Sequence, residues 1–351
     1  MDTEKQKIES ELESGEIQAS EQVLSSPISN TQPEPRILPP KPQSKFIPAI
    51  IFISLLGMII IFGVLIFDQK PIEPVKAEEH APVVVNPFDS VQIEGASGVV
   101  IDLRTKEILY AKNASSTLPL ASVTKLMSAY TALSYAPDIL SISISPEDIQ
   151  LLGDQGLIVG ETWRLDDLLD FSLVTSSNDG MRAIARAVGE VENSSFIEEE
   201  NRAHFIGLMN KTANELGLTS MSFKNETGLD EITGGTGGVG SAYDVAQLLG
   251  LIAQKYPDAL TRTRNNEFSV TSLSGFIHVG RNTNLSAAAI PGLMGSKTGF
   301  TDLAGGNLAI VFNRSLNYPI AVVVLGSSVE GRFRDVNTLV NATYDYFQLK
   351  H

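Results

Sequence analysis

The chain has 351 residues, 43% of them hydrophobic, with 26 basic and 41 acidic side chains and a formal charge of −15. That acidic balance argues against a nucleic-acid partner held through its phosphates. With no cysteine, disulfides, thiolate metal sites, iron–sulfur clusters and a cysteine nucleophile are excluded.

The first 45 residues are polar, with Glu9, Glu11, Glu13 and Glu16 followed by Pro33, Pro35, Pro39, Pro40 and Pro42. Such a segment buries too little apolar surface to offset its ordering entropy, so residues 1–45 are expected to be a disordered tail. Phe46 to Phe67 is a run of 22 residues without a charge, roughly 33 Å of helix and enough to cross a bilayer core. Val75-Lys76-Ala77 resembles a cleavage site, yet leader and apolar run are both long for a signal peptide, and an uncleaved transmembrane helix is expected. Arg36, Lys41 and Lys45 before the span outnumber Lys70 and Lys76 after it, which places the tail in the cytoplasm. Residues 68–94 read as a linker and 95–351 as an extracytoplasmic catalytic domain.

Gly98 to Asn113 reads as a hairpin, with arms Val99–Ile101 and Ile108–Tyr110 about the turn Arg104-Thr105-Lys106. Ala121 to Leu133 lacks Gly and Pro and predicts a helix. From Asp138 to about Gln254 the pattern is mostly helical, broken at Gly153, Gly156 and Gly234 to Gly240. Strands are predicted near Leu308–Phe312 and Ile320–Leu325, then an amphipathic helix from about Arg332 to Phe347. Strands at both ends with helices inserted between them imply an α+β fold, one mixed sheet with helical layers.

Three motifs follow in order. In Ser122-Val123-Thr124-Lys125 a helix brings the Lys ammonium one turn below the Ser hydroxyl. That pairing suits a serine nucleophile with a lysine base, provided the lysine pKa is lowered. Free N–H groups at the helix start are available for an oxyanion. In Ser176-Ser177-Asn178, a hydroxyl can relay a proton and an amide can hold a substrate amide. In Lys297-Thr298-Gly299, followed by Phe300, Lys and Thr can bind a carboxylate and Gly allows close backbone approach. Alone, each motif reads more readily as a cap, a solvated lysine or a turn; the three together in this order reverse that balance. His80, His204, His278 and His351 are too dispersed for an H-E-x-x-H zinc pattern, and no metal or cofactor is expected.

Around these motifs the sequence resembles the D-alanyl-D-alanine carboxypeptidases, the low-molecular-mass penicillin-binding proteins. The matching stretches are Pro119–Met127, Ser176–Asp179, Met209–Lys211 through Glu215–Leu218, Phe223–Asp230, Ser241–Asp244, and Gly295–Thr301 with Ala304-Gly305. The resemblance covers roughly residues 95 to 348. It implies a β-lactamase/transpeptidase-like fold, a sheet flanked by helices plus a helical subdomain, with the site in the groove between them. By that resemblance Ser122 is the acylated nucleophile, Lys125 its base, Ser176 the relay and Asn178 the amide holder. Lys297 and Thr298 bind the terminal D-Ala carboxylate, and the N–H groups of Ser122 and Phe300 form the oxyanion hole. Peptidoglycan stem peptides are the implied substrate and β-lactams the implied inhibitors. Many members add a β-rich domain and a C-terminal membrane helix, whereas here the anchor is expected at the N-terminus. Glu226-x-x-Leu229-Asp230 superficially resembles the deacylating motif of a β-lactamase, which is the alternative activity. A catalytically silent wall-binding protein is the other.

Overall fold

A computed structural model describes residues 85–350 apart from Asp154 and Phe196. The expected tail, the apolar span Phe46–Phe67 and the linker as far as residue 84 lie outside the described residues. Among the described residues no helix is long and apolar enough to cross a membrane.

Part of the expected linker is packed. A 3-10 turn at Pro87–Ser90 buries Phe88 against Tyr110 and Tyr346. The Glu94 and Gly95 N–H groups both donate to the Asp335 carboxylate, at 2.9 and 2.8 Å. Strands β1 (Ser97–Asp102) and β2 (Ile108–Lys112) then form the expected hairpin.

A short β3 (Leu118–Pro119) runs into a 3-10 turn at Ala121–Thr124 and helix α1 (Lys125–Tyr135). The sequence predicts one helix from Ala121, but the first turn is wound more tightly because Ala121 sits at φ 47°, outside the helical region. Hairpin β4 (Ser141–Ser143) and β5 (Thr162–Arg164) precedes α2 (Leu165–Thr175), α3 (Asn178–Asn193) and α4 (Glu198–Glu215). Next come β6 (Ser222–Phe223), β7 (Gly238–Gly240) and α5 (Ala242–Lys255). Ser177 caps α3 by accepting from the Gly180 N–H, and Ser241 caps α5 by accepting from the Asp244 N–H.

The chain continues through a 3-10 stretch at Pro257–Arg264 into hairpin β8 (Glu267–Thr271) and β9 (Ile277–Arg281). It ends with β10 (Leu293–Thr301), β11 (Gly305–Asn313), β12 (Pro319–Ser327) and α6 (Gly331–Leu349). Strand β10 was not expected, since Leu-Met-Gly-Ser-Lys-Thr-Gly-Phe-Thr shows no apolar alternation; its pairing with β11 makes it a strand.

Five strands form an antiparallel sheet in the order β10-β11-β12-β1-β2. Successive side chains of a strand point to opposite faces, and here both faces are covered. Val99, Ile101, Ala309, Val311, Val323 and Leu325 join the core shared with α1 to α5. Val100, Leu308, Ile310, Val322 and Val324 join a second core with α6, through Val336, Leu339 and Val340. This double burial is why β12 reads as the unbroken apolar run Ile320–Leu325. Strand β10 is left at the sheet edge, facing the helical part.

Candidate active site

The turn carrying Ser122 is held from three sides. Asn307 of β11 donates its side-chain N–H groups to the Pro119 and Leu120 carbonyls, both at 3.0 Å. A Cβ on Gly228 would lie 1.9 Å from the Ala121 carbonyl oxygen, and one on Gly299 would lie 2.7 Å from that of Leu120. Only glycine allows these approaches, and Gly228 is also at φ 80°. Under this clamp Ala121 holds its left-handed conformation, the kind of strain that persists only where surroundings impose it.

Lys125 opens α1 and is fully buried. Its ammonium donates to Ser122 Oγ at 2.8 Å, Asn178 Oδ1 at 2.7 Å and the Thr227 carbonyl at 2.9 Å. None of the three acceptors is charged. Burial lowers its pKa to about 7, against an opposing pull from Glu226. That carboxylate is engaged elsewhere: Arg202 Nε lies 3.1 Å from both its oxygens.

Ser176 follows α2 in a left-handed conformation, φ 62°. Glycine or Asn usually takes that position. The kink turns its hydroxyl to the sheet, where it accepts from Lys297 Nζ at 2.9 Å. Asn178, two residues on, accepts from Lys125 and donates to the Leu152 carbonyl at 2.6 Å. An amide group has a second N–H and a second lone pair, so one of each remains for a ligand.

Lys297 and Thr298 lie on β10 and are 1% and 3% exposed. Lys297 Nζ also donates to the Thr298 carbonyl at 2.8 Å. Its pKa falls well below the usual lysine range through burial, and then through the charges of Lys125 and Arg332. The Thr298 hydroxyl lies 2.6 Å from that of Thr283. The Ser296 N–H is spent on Thr263 Oγ1 at 2.9 Å rather than on β11. Alternation along the strand turns the N–H of Thr298 and of Phe300 the same way, off the sheet edge. Phe300 itself is half exposed at the rim. It lines a cavity of about 640 Å³ together with Leu152, Thr227, Asp230 and Thr301. Ser122 and Lys125 do not line that cavity; it meets their hydrogen-bond network through Thr227 and Leu152, whose carbonyls accept from Lys125 and Asn178.

The eight residues singled out in the sequence thus converge, and hydrogen bonds join Ser122, Lys125 and Asn178 in one group and Ser176, Lys297 and Thr298 in another. Two further residues were missed. Arg332, at the start of α6, is 8% exposed, donates Nη1 to the Gly299 carbonyl at 2.8 Å and leaves Nε without a partner. Burial lowers its pKa. The sequence shows Arg332 only as one end of an amphipathic helix, and no motif or predicted element includes Thr283. Nothing in their spacing marks either.

The fold has solved counterparts. The DD-transpeptidase of Streptomyces K15 superposes with a TM-score of 0.65 at 22% identity, covering 73% of this chain and 98% of that one. Penicillin-binding protein D2 of Listeria monocytogenes, solved in its ampicillin-bound form, gives 0.58 at 25% identity, covering 72% and 98%. These likenesses establish a transpeptidase-like fold. In sequence the chain is 29% identical to D-alanyl-D-alanine carboxypeptidase DacF of Bacillus subtilis over 271 residues, 73% of this chain and 63% of that protein. It therefore spans less than two thirds of that relative's length. It is 30% identical to the D-alanyl-D-alanine endopeptidase of Pseudomonas aeruginosa over 242 residues, 67% of this chain and 72% of that one. The D-alanyl-D-alanine carboxypeptidase family profile matches residues 81–329, most of the chain, and with the converged motifs inside that range the chain belongs to the D-alanyl-D-alanine carboxypeptidase family.

Proposed function

We propose that the chain is a serine D,D-carboxypeptidase that removes the terminal D-alanine from peptidoglycan stem peptides through an acyl-enzyme, and that penicillin acylates the same serine. The observation that carries this reading is the Ser122–Lys125 pair. A buried amine with a pKa of about 7 lies 2.8 Å from a serine hydroxyl, which makes it a base poised near neutral pH.

Ser122 Oγ attacks the carbonyl carbon of the penultimate D-Ala while Lys125 takes its proton. The N–H groups of Ser122 and Phe300 receive the oxyanion. Ser176 gives its hydroxyl proton to the departing amine and is reprotonated with the proton that Lys125 took, so the C–N bond breaks, D-Ala leaves and Lys125 is neutral again. Water then attacks the ester, giving its proton to Lys125, and Ser122 is restored. Asn178 holds the substrate amide through its remaining lone pair and N–H. Lys297 and Thr298 take the terminal carboxylate, with Gly299 letting the peptide approach β10. Arg332 behind that strand adds positive potential. An arriving carboxylate raises the Lys297 pKa again, since an opposite charge favours the charged form.

Glu226, held by Arg202, is a poor activator of deacylating water, which favours a persistent penicilloyl ester over β-lactamase turnover. The ampicillin-bound Listeria relative supports acylation by β-lactams. The membrane is assigned to Phe46–Phe67, with residues 1–45 cytoplasmic and the catalytic domain outside. Protein of intact N-terminus retained in membranes after carbonate washing would support this anchor, and a soluble form starting near Glu78 would overturn it.

Release of D-Ala from a stem pentapeptide tests the activity. Wild type should release it and carry one fluorescent-penicillin adduct on Ser122, with both lost in Ser122→Ala. An adduct on another serine removes the mechanism, and absence of release leaves a silent wall-binding protein. Rapid nitrocefin turnover would point to a β-lactamase. Because the Pseudomonas relative is named an endopeptidase, a cross-linked dimer belongs in the same assay.

A further inference from the structure

Between β9 and β10 the segment Asn282-Thr283-Asn284 is pinned on every side. Asn282 donates to the Thr263 and Asn265 carbonyls, both at 2.8 Å, and accepts from the Asn284 N–H at 2.8 Å. Asn284 accepts from the Ser286 N–H at 3.0 Å. The Thr283 N–H donates at 3.1 Å to the Val174 carbonyl, in the last turn of α2 just before Ser176. Its hydroxyl meets that of Thr298 at 2.6 Å. Thr283 therefore bridges the helix that delivers Ser176 and the strand that delivers Lys297, beside the Lys297–Ser176 bond.

The two hydroxyls carry two protons, and only one can lie in the bond between them. The other stays available, and a fixed hydroxyl donor next to the Lys297 amine is a carboxylate-binding arrangement. We propose that Thr283 is a positioning residue for substrate recognition: it donates to Thr298 and thereby turns the Thr298 proton toward the terminal carboxylate. This rests on the carboxypeptidase reading. The chain Thr283 O–H to Thr298 O–H to carboxylate is also mutually polarising, which strengthens the terminal bond. Thr283 makes no bond to the substrate in this scheme and acts only through Thr298.

The test uses the full chain as wild type, Thr283→Val and Thr283→Ser. Steady-state kcat and KM are measured on a stem pentapeptide ending in a free carboxylate and on its C-terminal carboxamide. Acylation rates are measured with benzylpenicillin and with its methyl ester. Thr283→Val, which keeps the shape and deletes the hydroxyl, should lose about fivefold to tenfold in kcat/KM on the carboxylate peptide, mostly through KM. It should change little on the carboxamide, and penicillin should lose its advantage over the ester by a similar factor. Thr283→Ser should restore selectivity, because the hydroxyl is what matters. Should Thr283→Val fail to fold, Thr283→Ala reads the same loss. The proposal is overturned if the hydroxyl-free variant keeps wild-type selectivity, or if Thr283→Ser behaves like Thr283→Val. A wild type that releases no D-Ala yet prefers penicillin to its ester, with that preference lost in Thr283→Val, would sink the peptidase reading and leave Thr283 standing. Reaction with neither compound would remove both.

Discussion

Two buried lysines lie in one groove, and their surroundings ask different things of them. Lys125, on the helical side, has three neutral acceptors, and the carboxylate that pulls on its pKa, Glu226, is paired with Arg202. Lys297, on the sheet side, has two neutral acceptors, Ser176 Oγ and the Thr298 carbonyl, with Lys125 and Arg332 as charged neighbours. Burial lowers both pKa values. The first site is complete without an anion and favours a neutral amine, which is what a base needs. The second lies beside two other basic groups that push its pKa down, so an arriving anion is what would favour its charged form. Similar burial thus gives two chemistries, separated by which charges stand nearby.

The largest expected effect breaks the first half of that comparison. Lys125→Ala should slow penicillin acylation of Ser122 by roughly 10²- to 10⁴-fold, the usual contribution of a positioned base. In wild type the rate should climb with pH through about 7, where Lys125 loses its proton. A variant acylated at the wild-type rate, or a profile flat from pH 6 to pH 8 (a range set around that pKa), would show that another group takes the proton.

The second half predicts a smaller change. Lys297→Ala should lose about tenfold to a hundredfold of the preference for a carboxylate over a carboxamide terminus, the scale of a buried charged hydrogen bond. Unchanged preference would place the carboxylate elsewhere. The comparison also has a thermodynamic face. Lys125 has a folded-state pKa of about 7 against an ordinary 10.5, so between those values the unfolded chain binds more protons than the folded one. Stability therefore rises with pH across that window. Lys125→Met removes this term, so the Tm of wild type relative to the variant should improve from pH 7 to pH 10, read by thermal melts.

The smallest effect sharpens the contrast. Glu226 pulls the Lys125 pKa upward against burial. Glu226→Gln should move the acylation midpoint to lower pH by roughly a fraction of a unit, and the Arg202 charge, then balanced by Glu199 alone, pushes it the same way. A midpoint moving to higher pH would contradict the electrostatic picture.

What the sequence showed follows from how local each feature is. Ser122 and Lys125 are one helical turn apart, so their pairing can be read from spacing alone, whereas Ser176 and Asn178 stand at the junction of two helices and bond to Lys297 and Lys125 respectively. The hairpin and the two last strands show apolar runs that burial on both faces explains. Strand β10 shows none, because its residues answer to β11 and to the groove. Arg332 reaches Gly299, and Thr283 reaches Thr298, only because the sheet brings α6 and the β9–β10 loop to the same strand. Those contacts are set by tertiary packing, and no period along the chain reports it. The Phe46–Phe67 run lies outside the described residues, and its reading as an anchor rests on hydropathy alone.

Strand β10 has a further consequence, for how copies of the protein behave toward each other. It ends its sheet, and an open strand edge invites pairing with the edge of another molecule. This one is a poor template: Gly295 and Gly299 weaken it as a strand, and the Ser296 N–H on that edge is already taken by Thr263 Oγ1. The glycines that let a substrate peptide approach the strand therefore also make the edge a weak partner for a second copy.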